Sequence, residues 1–460
     1  MNSITPPGKL VLAELGIEPA KVKFIKPRWK RSCYRAIINW LTKYISSQDS
    51  ANIDQVKGLL EAVYHLCEVA AWEGASKIMT ISLNTPTNDQ LRTQLGIWGY
   101  YREQIGLYEI LLGKLTPNWE NICLNGLGNA HYSLGDYFQA IKFYQQCLHF
   151  AQERGDSTWE ATTFNGLGVV YDALGKYTQA IDYHQQYLAV AQSMGDHRAQ
   201  ANALCNLGNV CDSLGEHPQA INYHQESLQI AREIGDRYLE GSSLNGLGNA
   251  YYSLRNYSQA IDCYQQHLEI VQKIGDRHGE ESALNGLGNS YYSLGEYHRA
   301  IDFYQQLLHI ARAVNDRRGE GRALGNLGLV YHVLRDYRQA IDFHQQFFTI
   351  AQAIGDRAGA ANALGNLGSA MIGYGLYSEA LQSWQTALEI LQGIGARETE
   401  AYLLKNFAKV YHGLGHCQVA LDYCNQALAI ATELGIPLTK ECQELQQELR
   451  SQVDREVEND

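Results

Sequence analysis

Residues 281–316 read ESALNGLGNSYYSLGEYHRAIDFYQQLLHIARAVND. Leu284, Leu287, Gly288, Tyr291 and Leu294 return at helical spacing, and the alternation of a strand is missing, so a first helix is predicted that ends at Gly295. Ala300, Ile301, Tyr304, Leu307, Leu308 and Ala311 make the buried stripe of a second helix, with Asp302, Gln305, Gln306 and Arg312 turned to solvent. Outward from this stretch the chain aligns with itself at an offset of 40 residues, without a slip from 121 to 436. Alanine recurs at Ala140, Ala180, Ala220, Ala260, Ala300, Ala340, Ala380 and Ala420. Glycine recurs at Gly128, Gly168, Gly208, Gly248, Gly288, Gly328 and Gly368, with Ala408 in the eighth copy. A compact domain has no reason to keep such a period, whereas a solenoid unit meets only the unit before and the unit after.

Between units, Gly235-Asp236, Gly275-Asp276 and Gly355-Asp356 predict a left-handed C-cap followed at once by an N-cap. Glu240, Glu280 and Glu320 fall in the next first turn, where the helix dipole favours a negative charge. The expected fold is all-α, built of antiparallel helix pairs.

The pattern Leu-Gly-x-x-Tyr followed by Gly-x-Tyr-x-x-Ala, carried here by Leu287-Gly288, Tyr291, Gly295, Tyr297 and Ala300, resembles the signature of the tetratricopeptide repeat family. Gly and Ala stand where two helices cross closest, and Tyr fills the gap beside them. A period of 40 residues, longer than the usual ~34, together with the Gly-Asp-Arg junction is most similar to the repeats of the Pins/LGN group and of bacterial multi-repeat signalling proteins. HEAT and armadillo repeats share the length but not the signature. His131 and Cys211 depart from it by replacing the Tyr, Arg255 and Arg335 replace the turn Gly, and the last copy carries Phe407-Ala408. The resemblance implies a right-handed α-solenoid, a superhelix whose first helices line a concave groove, and a non-enzymatic protein-protein interaction scaffold.

The composition agrees with a globular chain. Its 460 residues carry a net charge of -12 and are 45% hydrophobic, which excludes disorder and collagen-like structure. No apolar run reaches the ~18 residues of a membrane helix, so a soluble, cytoplasmic protein with no membrane partner is expected. Ten cysteines occur without a CxxC pair, which argues against a zinc ribbon or a thioredoxin-type centre and for buried apolar fillers.

Four regions follow. Residues 1–30 read as a flexible basic tail, with Lys9, Lys21, Lys23, Lys26, Arg28 and Lys30 against Glu14 and Glu18, solvated in preference to a nucleic-acid or lipid patch. Residues 31–118 read as a helical lead-in with degenerate repeats: helices from Trp29 to Ile45 and from Ile53 to Val69, a capping box at Thr87-Asn88-Asp89-Gln90, and Leu95-Gly96 followed by Trp98, Tyr100, Tyr101 and Tyr108. Residues 121–436 hold eight repeats. In 437–460, Leu438, Cys442, Leu445, Leu449 and Val453 share one face, as a solenoid cap requires, before the acidic tail DREVEND.

Catalytic chemistry has no foothold. His184, His224 and His344 share one position with Tyr144, Tyr264 and Tyr304, so the demand is for a flat ring in an inter-helix gap. His217 and His224 lack a third ligand at metal-binding spacing, and Asp182, Asp262, Asp302 and Asp342 form a hydrophilic face. No GxxxxGK[ST] loop or nucleophile elbow occurs, and no enzyme activity, cofactor or metal is expected. The other face of the first helix carries Asn125 and Asn129, Asn245 and Asn249, Asn285 and Asn289, joined by Asn165 and Asn209 and followed by Tyr132, Tyr252 and Tyr292. In the resembled family such positions line the groove, where Asn clamps the backbone of a bound peptide, and its paired donor and acceptor match a peptide unit. A competing reading is that Asn beside Gly, as in Asn125-Gly126 and Asn285-Gly286, serves close helix packing.

A dicarboxylate clamp would need Lys in place of Asn125, Asn245 or Asn285. The groove's basic residues are Arg322, Lys405 and Lys409, set against Asp172 and Asp212, too sparse a track for nucleic acid. The expected partner is therefore a protein or peptide segment. The alternative is a regulatory or sensor arm for a separately encoded NTPase or protease. The oligomeric state is left open.

Overall fold

The computed structural model describes residues 4–47, 50–85 and 87–459. The chain divides into two compact units, Met1–Ile234 and Gly235–Asp460. In the first, α1 (Gly8–Glu14), a 3-10 turn (Val22–Phe24), α2 (Arg28–Lys43), α3 (Asn52–Glu68), α4 (Trp72–Met79), α5 (Leu91–Ile97) and α6 (Tyr101–Leu111) precede three regular pairs. These are α7 and α8 (Pro117–Ser133, Tyr137–Arg154), α9 and α10 (Ser157–Ala173, Tyr177–Met194), and α11 and α12 (His197–Ser213, His217–Ile234). The second unit holds five pairs: α13 and α14 (Arg237–Ser253, Tyr257–Ile274), α15 and α16 (Arg277–Ser293, Tyr297–Ala313), α17 and α18 (Arg317–Val333, Tyr337–Ala353), α19 and α20 (Arg357–Tyr374, Tyr377–Ile394), and α21 and α22 (Arg397–Gly413, Cys417–Leu434). It closes with α23 (Leu438–Asn459). Within each unit every helix packs on the next in sequence, and first helices of neighbouring pairs also touch, which makes the fold an all-α solenoid of helix pairs.

A flat ring laid on a glycine closes each of the first seven pairs. A Cβ built on Gly288 of α15 would stand 2.4 Å from the ring of Tyr304 on α16, closer than any two carbon atoms can approach. Gly128 faces Tyr144, Gly168 faces His184, Gly248 faces Tyr264, Gly328 faces His344 and Gly368 faces Trp384 in the same way, each with a 2.4–2.6 Å conflict for an added Cβ. In the eighth pair Ala408 replaces the glycine and the small Cys424 replaces the ring, so the added methyl meets no ring, and both residues are fully buried.

The turn within each pair follows from the backbone. Gly295 has φ 79°, its N–H donates to the Tyr292 carbonyl at 3.0 Å, and the Glu296 N–H donates to the Tyr291 carbonyl at 2.9 Å. Arg255 and Arg335 adopt the same left-handed conformation, φ 60° and 61°, at a cost of roughly 1–2 kcal/mol each. Leu294, expected on the packing stripe, is instead 43% exposed: α15 has ended at Ser293, and Leu294 as its C-cap residue leaves the helix face.

At the junctions Asp276 caps α15, its Oδ1 accepting from the Gly279 N–H at 3.0 Å. Glu280 has a larger role than the dipole argument gave it. It is only 6% exposed, receives Arg277 at 2.7 Å, and accepts at 3.0 Å from Gln272 on the preceding helix. Glu320, held by Arg317 and by Arg312 at 2.8 Å, and Glu400, held by Arg397 and Gln392 at 3.0 Å each, repeat this buried tie between consecutive pairs.

Three expectations about the ends of the chain need correction. Within the expected tail of residues 1–30, Gly8–Glu14 and Val22–Phe24 are helical and α2 begins at Arg28, because Val11, Leu12 and Val22 are buried while the lysine head groups stay toward water. The capping box does not form. Asn88 has φ 54°, α5 starts at Leu91 without a side-chain cap, and backbone bonds from Leu83 to Asp89 and from Leu91 to Ile81 fix its start. At the C-terminus α23 runs on to Asn459 where an acidic tail was expected, and Asp460 lies outside the described residues. On α23, Leu438, Cys442 and Leu449 are fully buried beside Phe407 and Leu404. Among the described residues no helix is long and apolar enough to cross a membrane.

Gly288→Ala should drive the new methyl into Tyr304 and cost about 1–3 kcal/mol, read as a lower denaturant midpoint, whereas Gly365→Ala, with open space around it, should not. Removing residues 437–460 should uncover Phe407 and Leu404 and produce concentration-dependent association in analytical ultracentrifugation.

Candidate functional site

The first helices present the polar stripe, and the structure separates its members by what each side chain already holds. Tyr144 donates its hydroxyl to Asn129 Oδ1 at 2.6 Å; Tyr264 and Tyr304 do the same to Asn249 and Asn289 at 2.7 Å. These three asparagines therefore anchor the buried rings while remaining at the surface, Asn129 and Asn249 exposed and Asn289 half-buried.

The second set forms cross-pair links. Asn206 donates to Asn165 at 2.8 Å, Asn326 to Asn285 at 3.1 Å, and Ser282 to Asn245 at 3.2 Å, tying adjacent first helices together. Asn beside Gly thus does serve helix packing at these positions. Gly166 and Gly286 leave room for the rings of Tyr144 and Tyr264, against which a Cβ would stand at 2.7 and 2.6 Å. Tyr132, Tyr252 and Tyr292 are half-buried beside Tyr137, Tyr257 and Tyr297, with ring centroids 5.5–5.7 Å apart.

Asn125 and Asn209 hold no ring anchor. Asn209 is exposed, and half-buried Asn125 lines, with Asn129, a pocket of about 390 Å³ whose other walls include Arg92, Gln104, Tyr108 and Trp159. Arg92 donates to the Gln90 side chain at 2.8 Å. Sequence reading did not single out Arg92 or Trp159, because they come from the irregular helix α5 and from the start of α9, away from the repeated stripe.

The basic residues separate as well. Arg322 and Lys409 are exposed, but Lys405 is buried, 2.8 Å from Glu441 of the cap helix, and its ammonium holds the Glu441 carboxyl below its ordinary range. On the acidic side, Asp212 is paired with His217 at 2.6 Å, and burial pushes the Asp172 carboxyl up.

The Tyr–Asn bond explains how the ring position varies. Every copy with Tyr has Asn fifteen residues earlier. Copies with His have Val169, Asn209 or Leu329 there, and Trp384, opposite Ser369, donates to the Gly365 carbonyl at 2.8 Å. His224 and His344 are fully buried with no hydrogen-bond partner at either ring nitrogen. Desolvation lowers His184, His224, His267 and His344 to about 4, so these rings are neutral packing groups in the folded chain.

The family model described as tetratricopeptide repeat matches residues 120–193, 191–233, 238–313, 279–353, 319–392 and 359–433. No curated protein matches the chain. Among solved structures, a signal transduction ATPase with numerous domains and a tetratricopeptide repeat sensor, from Pyrococcus horikoshii, is 14% identical with a TM-score of 0.51, covering 99% of this chain and 65% of its own. Aspartyl phosphate phosphatase F from Bacillus subtilis is 12% identical with a TM-score of 0.51, covering 84% of this chain and 95% of its own. The apo quorum sensor NprR from B. thuringiensis is 14% identical with a TM-score of 0.50, covering 74% and 100%. At such identities the likeness is one of fold.

The neutral histidines make stability pH-dependent. Their unfolded forms take up protons near pH ~6.5 while the folded forms resist down to about 4. Their contribution is complete above that range and is lost as pH falls through it, by up to about 1.4 kcal/mol per pH unit for each ring. His224→Tyr should lessen this dependence and keep stability at neutral pH, because Asn209 stands where the other copies accept the hydroxyl. His344→Tyr should lose about 1–3 kcal/mol, its hydroxyl facing Leu329. Urea melts on either side of pH 6 check both.

Proposed function

The chain belongs to the tetratricopeptide repeat family, and from that premise we propose that it is a non-enzymatic scaffold that binds an extended peptide or protein segment along the faces of its first helices. The observation that carries this reading is the run of side-chain amides on α7, α9 and α11, where Asn125, Asn129, Asn165 and Asn209 stand on successive first helices with Tyr132 among them and the Arg92 pocket at the beginning. Neutral amides can donate to and accept from a peptide backbone without selecting for charge. In Asn129, which lines the pocket, the Tyr144 hydroxyl donates to Oδ1 and so orients the amide. On the second unit Asn245, Asn249, Asn285, Asn289, Tyr252, Tyr292, Arg322 and Lys409 continue the proposal, and Lys405 enters it only as a prop of the cap. Ten cysteines, nine of them buried, fit a reducing, cytoplasmic compartment.

A second reading has its own support. The Pyrococcus horikoshii protein uses a tetratricopeptide repeat as a sensor beside an ATPase, and its likeness extends over nearly all of this chain. On that reading the bound segment is a signal, and the chain passes it to a separately encoded effector.

Panning a random peptide library against the full chain, then measuring the selected peptide on an Asn125→Ala/Asn209→Ala double variant, tests the scaffold. Neither residue anchors a ring, so melting should be unchanged while affinity falls about tenfold or more, at ~0.5–1.5 kcal/mol for each hydrogen bond. Failure to select any peptide, or unchanged binding by the variant, would overturn the proposal.

A further inference from the structure

Away from the repeats, α2 and α3 bring together three side chains that neither fold nor groove requires. His65 and Glu68 lie three residues apart near the end of α3 and so share a face, with His65 Nδ1 2.8 Å from Glu68 Oε2. Cys33 of α2 points its Sγ at the same oxygen from 3.4 Å. The sulfur, nitrogen and oxygen all lie within 4.8 Å of one another, and no other three His, Cys, Asp or Glu donors gather so closely among the described residues. Cys33 is also the one cysteine of ten that is not buried.

We propose that Cys33, His65 and Glu68 form a binding site for a Zn²⁺-class divalent ion, which ties α2 to α3. A tetrahedral zinc with metal–sulfur near ~2.3 Å and metal–nitrogen or –oxygen near ~2.0–2.1 Å holds its donors roughly 3.3–3.6 Å apart, a spacing these side chains approach already. The thiolate, imidazole and carboxylate form a borderline-soft set that suits Zn²⁺ or Co²⁺ and not Mg²⁺ or Ca²⁺. Cys33 and His65 are half-buried and Glu68 is exposed, so the site opens to solvent and water completes the fourth position.

Binding is a simple exchange. The Cys33 thiol releases its proton to solvent, the hydrogen on Nδ1 of the neutral His65 ring passes through solvent to Nε2 so that Nδ1 offers its lone pair, and the ion takes the vacated place between His65 and Glu68. The thiolate and carboxylate balance its two charges. No redox change occurs. The sequence offered no hint of this, because the three residues are 32 and 3 positions apart and match no CxxC or HxxxH spacing.

The full chain, freed of metal with a chelator and titrated with Co²⁺, should bind one ion tightly at this site, with a near-ultraviolet thiolate-to-cobalt band and the visible bands of tetrahedral cobalt. Cys33→Ala should abolish the thiolate band and weaken binding at least tenfold, and His65→Ala should weaken it similarly. Zn²⁺, but not Mg²⁺, should raise the melting temperature of the parent and leave that of Cys33→Ala unmoved. Circular dichroism confirms that each variant is folded; if Cys33→Ala is not, Cys33→Ser and His65→Ala carry the comparison. Absence of a thiolate band in the parent, or a band and a Zn²⁺ shift that persist without Cys33, would overturn the site.

Discussion

The distance at which a flat side chain can rest on bare backbone governs this molecule. Wherever a ring of a second helix lies on the glycine of a first, the two axes close to a separation that any Cβ would forbid, and the next pair is seated on the surface so formed. The constancy of the 40-residue spacing follows from this. An inserted residue would rotate the ring off its glycine, so the register of each unit is fixed at one buried point and carried on by the junction glutamates, which accept from Gln272, Arg312 and Gln392 of the preceding helices.

That same point links stability with recognition. The hydroxyls of Tyr144, Tyr264 and Tyr304 reach past the packing glycine to the asparagine that follows it on the first helix. Those asparagines are at once part of the core's hydrogen bonding and part of the surface offered to a ligand. A side chain whose acceptor is already engaged from behind loses little conformational freedom when a peptide meets its donor, which favours binding without any added charge.

The sequence made the regular part of the chain legible because one unit repeats: helix boundaries, the turn glycines, the Asp caps and the ring position all follow from a single 40-residue pattern. Where the pattern stops, reading became less secure. The start of α5 is set by backbone pairing between residues 81–83 and 89–91, which the polar tetrad at 87–90 concealed by resembling a cap. Burial of Glu280 and its counterparts was hidden because an exposed dipole charge and a buried ion pair use the same residue. The Tyr–Asn bond was present as a correlation among the copies within this one chain, but a stripe of Asn reads equally well as surface. Lys405 was misplaced in the groove because its partner Glu441 belongs to the non-repeating cap.

The bond between Tyr and Asn also bears on how such an array can be rearranged over time. Its two members are fifteen residues apart in one helix pair, on either side of the turn at the Gly295-type position. An exchange of genetic material that breaks at the Gly-Asp junction moves ring and acceptor together, and the transplanted pair arrives with its core satisfied. A break inside the turn recombines a Tyr with a first helix carrying Val169 or Leu329 and strands a hydroxyl in the interior. Whole pairs are thus the heritable unit of this solenoid, and the junction is the place where it can be cut and rejoined.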